Sequence, residues 1–201
     1  GMAAEGTWTQ VFGPAGAGKS QVTARLPLSQ QFLDTFKIAL PPGAVTGQGN
    51  ADVVIDLQRG SAPAFRLTSD LRGIGVALPS IGWRKSRDAS GELVVAGALG
   101  PVPQIDRLEI SGGGLSAKGQ IVLNDQGALE EARFSDVRIG NWFNAPVTLR
   151  GRGKGQPVAV SLGAGTLDLR GARFGAGGGE SGPMRLSLDR LQITEGIALT
   201  N

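Results

Sequence analysis

The chain has 201 residues, of which 40% are hydrophobic, 18% charged and only 5% aromatic; it carries 33 glycines and no cysteine, histidine or tyrosine. Its length and apolar content allow a real core and exclude a disordered chain, while the missing Cys and His exclude disulfides, thiolate metal sites, cysteine nucleophiles and His-containing triads. The net charge of +3 is spread over single Arg and Lys residues, a pattern of solvated surface with no arm for nucleic acid.

At the start, Gly1 before Met2 reads as the remnant of a cleaved tag, and no apolar run approaches the ~18 residues of a membrane helix. Any membrane attachment is therefore expected from an anchor outside this chain. Thr7 to Phe12 alternates polar and apolar residues, as a strand with one wet face does. Gly13-Pro14-Ala15-Gly16-Ala17-Gly18-Lys19-Ser20 then fits the phosphate-binding loop pattern, in which backbone amides wrap phosphates, the Lys reaches the outer phosphates and the Ser binds Mg²⁺. On that alternative reading Gly13, Gly18, Lys19 and Ser20 bind a nucleotide, and Asp56 at the end of Val53-Val54-Ile55 completes the metal site. The context favours a Gly-rich hairpin turn instead. The preceding strand is half polar, Val22-Thr23 is β-prone, Pro27 cuts short any helix from Lys19, and no strand–helix alternation follows.

Ser29 can cap a short helix holding Phe32, Leu33 and Phe36, ended by Pro41-Pro42, so one helix is expected near residues 29–37. From there on the rhythm is two. Val53, Ile55 and Leu57; Phe65 and Leu67; Ile74, Val76 and Leu78; Leu93 and Val95; Leu108 and Ile110; Ile121 and Leu123; Val137 and Ile139; Val147 and Leu149; Val158, Val160 and Leu162; Leu167 and Leu169 each put apolar side chains on one face of a strand. Turns rich in Gly, Asp and Asn recur every ~8–12 residues, the signature of a meander.

Ile105 to Gly113 resembles Leu188 to Gly196, with Asp-Arg-Leu, a later Ile and the final Gly in register, and the second copy ends close to Asn201. This suggests stacked β units, with residues 183–201 opening a further one. Residues 175–182 are nearly all small and read as a flexible hairpin tip or linker. Asp168 with Asp189, and Glu130 with Glu131, are carboxylates that nothing in the sequence brings together for catalysis. Asn124-Asp125-Gln126-Gly127 is a β-turn, too short for a calcium loop. Trp83 and Trp142 read as core or hairpin-end anchors, the alternative being a sugar-stacking surface in a structural or carbohydrate-binding repeat module.

Leu71-Arg72-Gly73, Leu78-Pro79, Gly82-Trp83-Arg84-Lys85, Gly119-Gln120-Ile121-Val122-Leu123, Gly140-Asn141-Trp142, Val158-Ala159-Val160 and Leu167-Asp168-Leu169-Arg170 follow one another in an order that resembles the AsmA-like envelope proteins, in particular the large YhdP-type members. The likeness spans roughly two thirds of the chain. It implies a non-enzymatic, cofactor-free segment of a periplasmic protein of a Gram-negative bacterium, anchored in the inner membrane and related to bridge-like lipid-transfer proteins. It further implies that an apolar groove carries phospholipid or another acyl-chain ligand. The residues themselves lead to a mainly β, largely antiparallel meandering fold in a single segment over residues 1–201, and the resemblance implies that its sheet is long and bent, forming a groove or half-barrel. Its expected lipid-facing stripe is Val53, Ile55, Leu57, Leu93, Val95, Ile121, Leu123, Val158 and Val160. An apolar face of this kind also suits the closed core of an ordinary sandwich or barrel.

Overall fold

The computed structural model of the chain describes residues 5–10, 18–35, 38, 40, 43–172 and 182–200. The strands are β1 (Glu5–Gln10), β2 (Lys19–Ser29), β3 (Val45–Gln58), β4 (Ala64–Ser69), β5 (Ile74–Leu78), β6 (Trp83–Lys85), β7 (Glu92–Ala98), β8 (Gln104–Gly112) and β9 (Leu115–Leu123). They continue as β10 (Leu129–Ile139), β11 (Phe143–Asn144), β12 (Val147–Arg150), β13 (Ala159–Leu162), β14 (Thr166–Asp168), β15 (Met184–Leu186), β16 (Arg190–Gln192) and β17 (Ala198–Thr200). The protein is thus mainly β, as the two-residue rhythm predicts.

These strands form one open, mostly antiparallel sheet. Its spine is a meander in which β1, β2, β3, β4, β7, β8, β9, β10, β12 and β13 each pair with the next, all antiparallel. The final strands depart from the meander, since β15 lies parallel to β13 and β16 parallel to β14. Among the described residues the sheet does not close. β1 pairs only with β2 at one end, and β15 and β17 have single partners at the other.

Several strands are halves of longer ones. The C-terminal part of β3 pairs with β4 and its N-terminal part with β5, so residues 70–73 interrupt a single path along β4 and β5. Residues 86–91 do the same between β6 and β7, which pair with β5 and β4 respectively. The two interruptions are stitched together, Gly73 N donating to Arg87 O and Gly91 N to Asp70 O. Farther along the sheet the breaks at Ala145-Pro146, at residues 163–165 and at residues 187–189 also line up, joined by bonds from Gly163 N to Pro146 O and from Ser187 N to Leu162 O. β-Bulges add to this. Asp106 is skipped in the pairing of β8 with β7, and Glu130 and Ser135 in that of β10 with β9. Each bulge bends its strand and raises the local twist.

The helix forms where Ser29 predicts it. Helix α1 (Gln30–Thr35) follows directly on β2, and the Phe32 amide donates to Ser29 Oγ at 3.4 Å. Its Phe32 is buried with Leu28, Ala51, Leu71 and Ile74 in one small core. A second core joins Trp83, Leu115, Val137, Ile139, Phe143 and Leu167 beside the aligned breaks. Phe36 and residues 175–181 lie outside the described residues. The two related segments adopt different local structures: the first lies in the continuous nine-residue β8, the second is reduced to the three-residue β16.

A candidate apolar face

Directly paired residues of neighbouring strands point to the same side of a sheet, so the register can be read across the whole molecule as rows. One row begins at Trp8 and passes through Val22, Ile55, Phe65, Gly97 and Ile105. It continues through Ile121, Ala132, Leu149 and Val160 to Met184. Eleven strands thus contribute to it without one polar side chain. The adjacent row runs Ala24, Val53, Leu67, Val95, Leu108, Gly119, Phe134, Val147, Leu162 and Leu186, again wholly apolar. A third, Ile139, Phe143, Leu167, Leu191 and Leu199, extends the same face over the far strands. Gly119 leaves a gap that its neighbour fills: a Cβ there would lie 2.7 Å from the Phe134 ring.

All nine residues of the predicted stripe belong to this side. Val53, Ile55 and Leu57 share it on β3, Leu93 and Val95 on β7, Ile121 and Leu123 on β9, and Val160 on β13, with Val158 just before that strand. Of the nine, Val53 is buried and the other eight are half-buried. Exposure grows towards the sheet edges, where Trp8 is 67% and Met184 65% accessible. Among the described residues no large side chain falls below 2% accessibility, whereas a core sealed between two sheets buries such residues completely. Sequence reading singles out the stripe on β3, β7, β9 and β13. It misses Phe65, Leu108, Phe134 and Leu149, which carry the same two-residue signal but join the rows only through register.

The opposite face is polar. Thr7, Thr23, Val54, Arg66, Ala96 and Arg107 form one of its rows, and Gln120, Arg133, Thr148, Ser161 and Arg185 another. Three of its carboxylates are ion-paired. Asp52 meets Arg25 Nε at 2.9 Å, Glu131 meets Arg150 Nε at 2.9 Å and also Arg133, and Asp168 meets Arg170 at 2.6 Å. The arginines hold all three carboxyl groups below their ordinary values through these hydrogen bonds. Among the described residues no group of His, Cys, Asp or Glu could hold a metal ion.

Gly13 lies outside the described residues. Gly18 has φ of +77° and its carbonyl accepts from the Arg59 amide at 2.9 Å, while Lys19 opens the eleven-residue β2 where a nucleotide loop continues into a helix. Ser20 pairs with Leu57, and Gln21, the next residue, with Asp56, so alternation sets Ser20 and Asp56 on opposite faces. The Asp56 carboxylate accepts from Gln21 Nε2 at 2.7 Å. A depression of about 360 Å³ is lined by Lys19, Ser20, Gln21 and Asp56 together with Thr9, Leu57 and Gln58.

Trp83 is buried, and its indole N–H donates to the carbonyls of Gly112 and Gly113 at 3.1 and 3.0 Å. Trp142 is half-buried against Phe143, ring centroids 5.9 Å apart. Asn124 Oδ1 accepts from the amides of Gln126 and Ala128, both at 3.0 Å, which closes the expected turn. Among the described residues no helix is long and apolar enough to cross a membrane. Compared with known proteins, the chain matches no family model, no curated protein and no solved structure.

Proposed function

We propose that this chain holds acyl chains on the open apolar face of its sheet and breaks no bonds, as a segment of a periplasmic, AsmA-like lipid-handling protein. The observation that carries the reading is the eleven-strand row from Trp8 to Met184, unbroken by any charged, hydroxyl or amide side chain and partly accessible at every position but the buried Ala132. Apolar surface left in water costs about 25 cal/mol per Å². A face this extended in a folded protein therefore favours an apolar occupant. Acyl chains suit it because the rows offer mostly aliphatic contact and, apart from the Trp8 indole at the edge, no hydrogen-bonding side chain, so affinity would come from burial with little selection among head groups. In this reading the bound lipid is a phospholipid, no cofactor or nucleic acid takes part, and membrane attachment is supplied from outside the chain.

The nucleotide alternative has less support, since Lys19 begins a strand and Ser20 and Asp56 diverge. The sugar-stacking alternative is weakened by the burial of Trp83.

The test is Ile121→Glu. On an open face the carboxylate reaches water, and a titration with a fluorescent-tailed phospholipid loses binding while the thermal midpoint stays within a few degrees of the parent. If the face is instead a sealed core, a buried unpaired carboxylate costs several kcal/mol, on the order of what unfolds a small domain. A collapse of stability in this variant, or unchanged lipid binding, contradicts the reading.

A further inference from the structure

We infer a second site, for a phosphate-type oxyanion, in the depression of about 590 Å³ between the start of β3, β5 and the free edge of β6. Three cations, Arg84, Lys85 and Arg87, line it, and no Asp or Glu does among the described residues. The whole chain has a net charge of only +3, so the local imbalance is large. Lys85 is spoken for, its ammonium donating to the carbonyls of Leu71, Ile74 and Ser86. Arg84 and Arg87 are exposed, and among the described residues neither guanidinium has a hydrogen-bond or ion-pair partner. Other arginines, such as Arg25, Arg107, Arg150 and Arg170, are each matched to a carboxylate.

Arg87 also lies close against backbone. Its side chain lies over two glycines: a Cβ at Gly47 would come within 2.9 Å of Arg87 Nε, and one at Gly75 within 3.3 Å of Arg87 Cγ and 2.7 Å of Thr46 Oγ1. The absence of side chains at these two positions makes the space that the Arg87 stem occupies, beside the Thr46 hydroxyl. A guanidinium fork presents paired donors that match the oxygens of a phosphate or phosphodiester. Thr46, Gly75, Ala77 and Arg84 alternate along their strands with the core residues Val45, Ile74, Val76 and Trp83. The site therefore faces away from the apolar face, and either can fail without the other.

Inorganic phosphate titrated into the intact chain, followed by NMR of the arginine Nε–Hε signals, tests this. Saturable shifts at Arg84 and Arg87 are expected, with Arg84→Gln and Arg87→Gln each weakening binding at least about tenfold, the scale of one charge-assisted hydrogen bond. Gly75→Ala keeps both arginines but crowds Arg87 and Thr46, and is expected to weaken binding comparably in protein whose thermal midpoint shows it folded. Flotation with phosphatidylcholine vesicles, with and without phosphatidylglycerol, separates the sources. Arginine-dependent binding to the anionic vesicles alone assigns the site to a lipid head group, and saturable binding of inorganic phosphate assigns it to a free anion. Absence of both, or binding that survives the double Arg84→Gln/Arg87→Gln substitution, overturns the inference.

Discussion

The Lys85 ammonium donates to the carbonyls of Leu71, Ile74 and Ser86 at 2.6, 2.9 and 3.1 Å and is only 2% exposed. It has three protons and three acceptors, so its hydrogen bonding is complete without any carboxylate. Burial lowers its pKa from the ordinary lysine value, opposed by the more distant Asp70. These bonds tie β6 to the break between β4 and β5, where Leu71 itself sits at φ +54°, a left-handed conformation that non-glycine residues seldom adopt. Lys85→Met keeps the aliphatic stem and strips the carbonyls of their donor, and is predicted to cost about 3 kcal/mol, read from the midpoint of urea unfolding. Glu131 offers a milder case. Hydrogen bonding from Arg150, and then Arg133, depresses its folded pKa below the usual glutamate value of 4.5. A carboxyl so depressed contributes stability above its unfolded pKa and loses it as pH falls through the folded value. The thermal midpoint of Glu131→Gln is therefore predicted to lie below that of the parent at neutral pH, with the gap narrowing below about pH 4 and on adding salt, because both arginine partners are exposed.

Strands carry the next level of the account. Alternation alone shows that Val53 and Ile55 share a face of β3 and Leu93 and Val95 a face of β7, and Ser29 announces α1 by its capping hydroxyl. Register was not readable. Ile105 and Leu108 face the same way only because a bulge at Asp106 inserts one residue between them, and Phe134 and Val137 do so because of Ser135. A bulge has little local sequence signature, since the extra residue is an ordinary polar one. The parallel return of β15 and β16 was equally hidden, for the rhythm of a strand does not say which neighbour it joins. Nor could spacing reveal that Arg87 settles over Gly47 and Gly75, positions far apart in sequence. The Gly13 to Ser20 motif is the reverse case, a clear sequence match whose last residues belong to a strand. Because Lys19 begins β2 and Ser20 and Asp56 diverge, millimolar ATP with Mg²⁺ is predicted to give no heat of binding in calorimetry. A saturable signal lost in Lys19→Ala would restore the nucleotide reading.

At the scale of the molecule, the sheet divides its surroundings in two. One side carries the ion pairs of Asp52, Glu131 and Asp168, and the other carries rows that stay apolar from β1 to the last strands. Among the described residues this sheet is open at both ends, and its buried apolar side chains gather in the two small cores near the aligned breaks. On the proposed reading the rest of that face takes the acyl chains, held by apolar burial. Native mass spectrometry of the chain incubated with phospholipid and gently desolvated tests this most directly. The account predicts adducts of intact phospholipid mass that disappear in Ile121→Glu, and bare protein across the full range of lipid concentrations would contradict it.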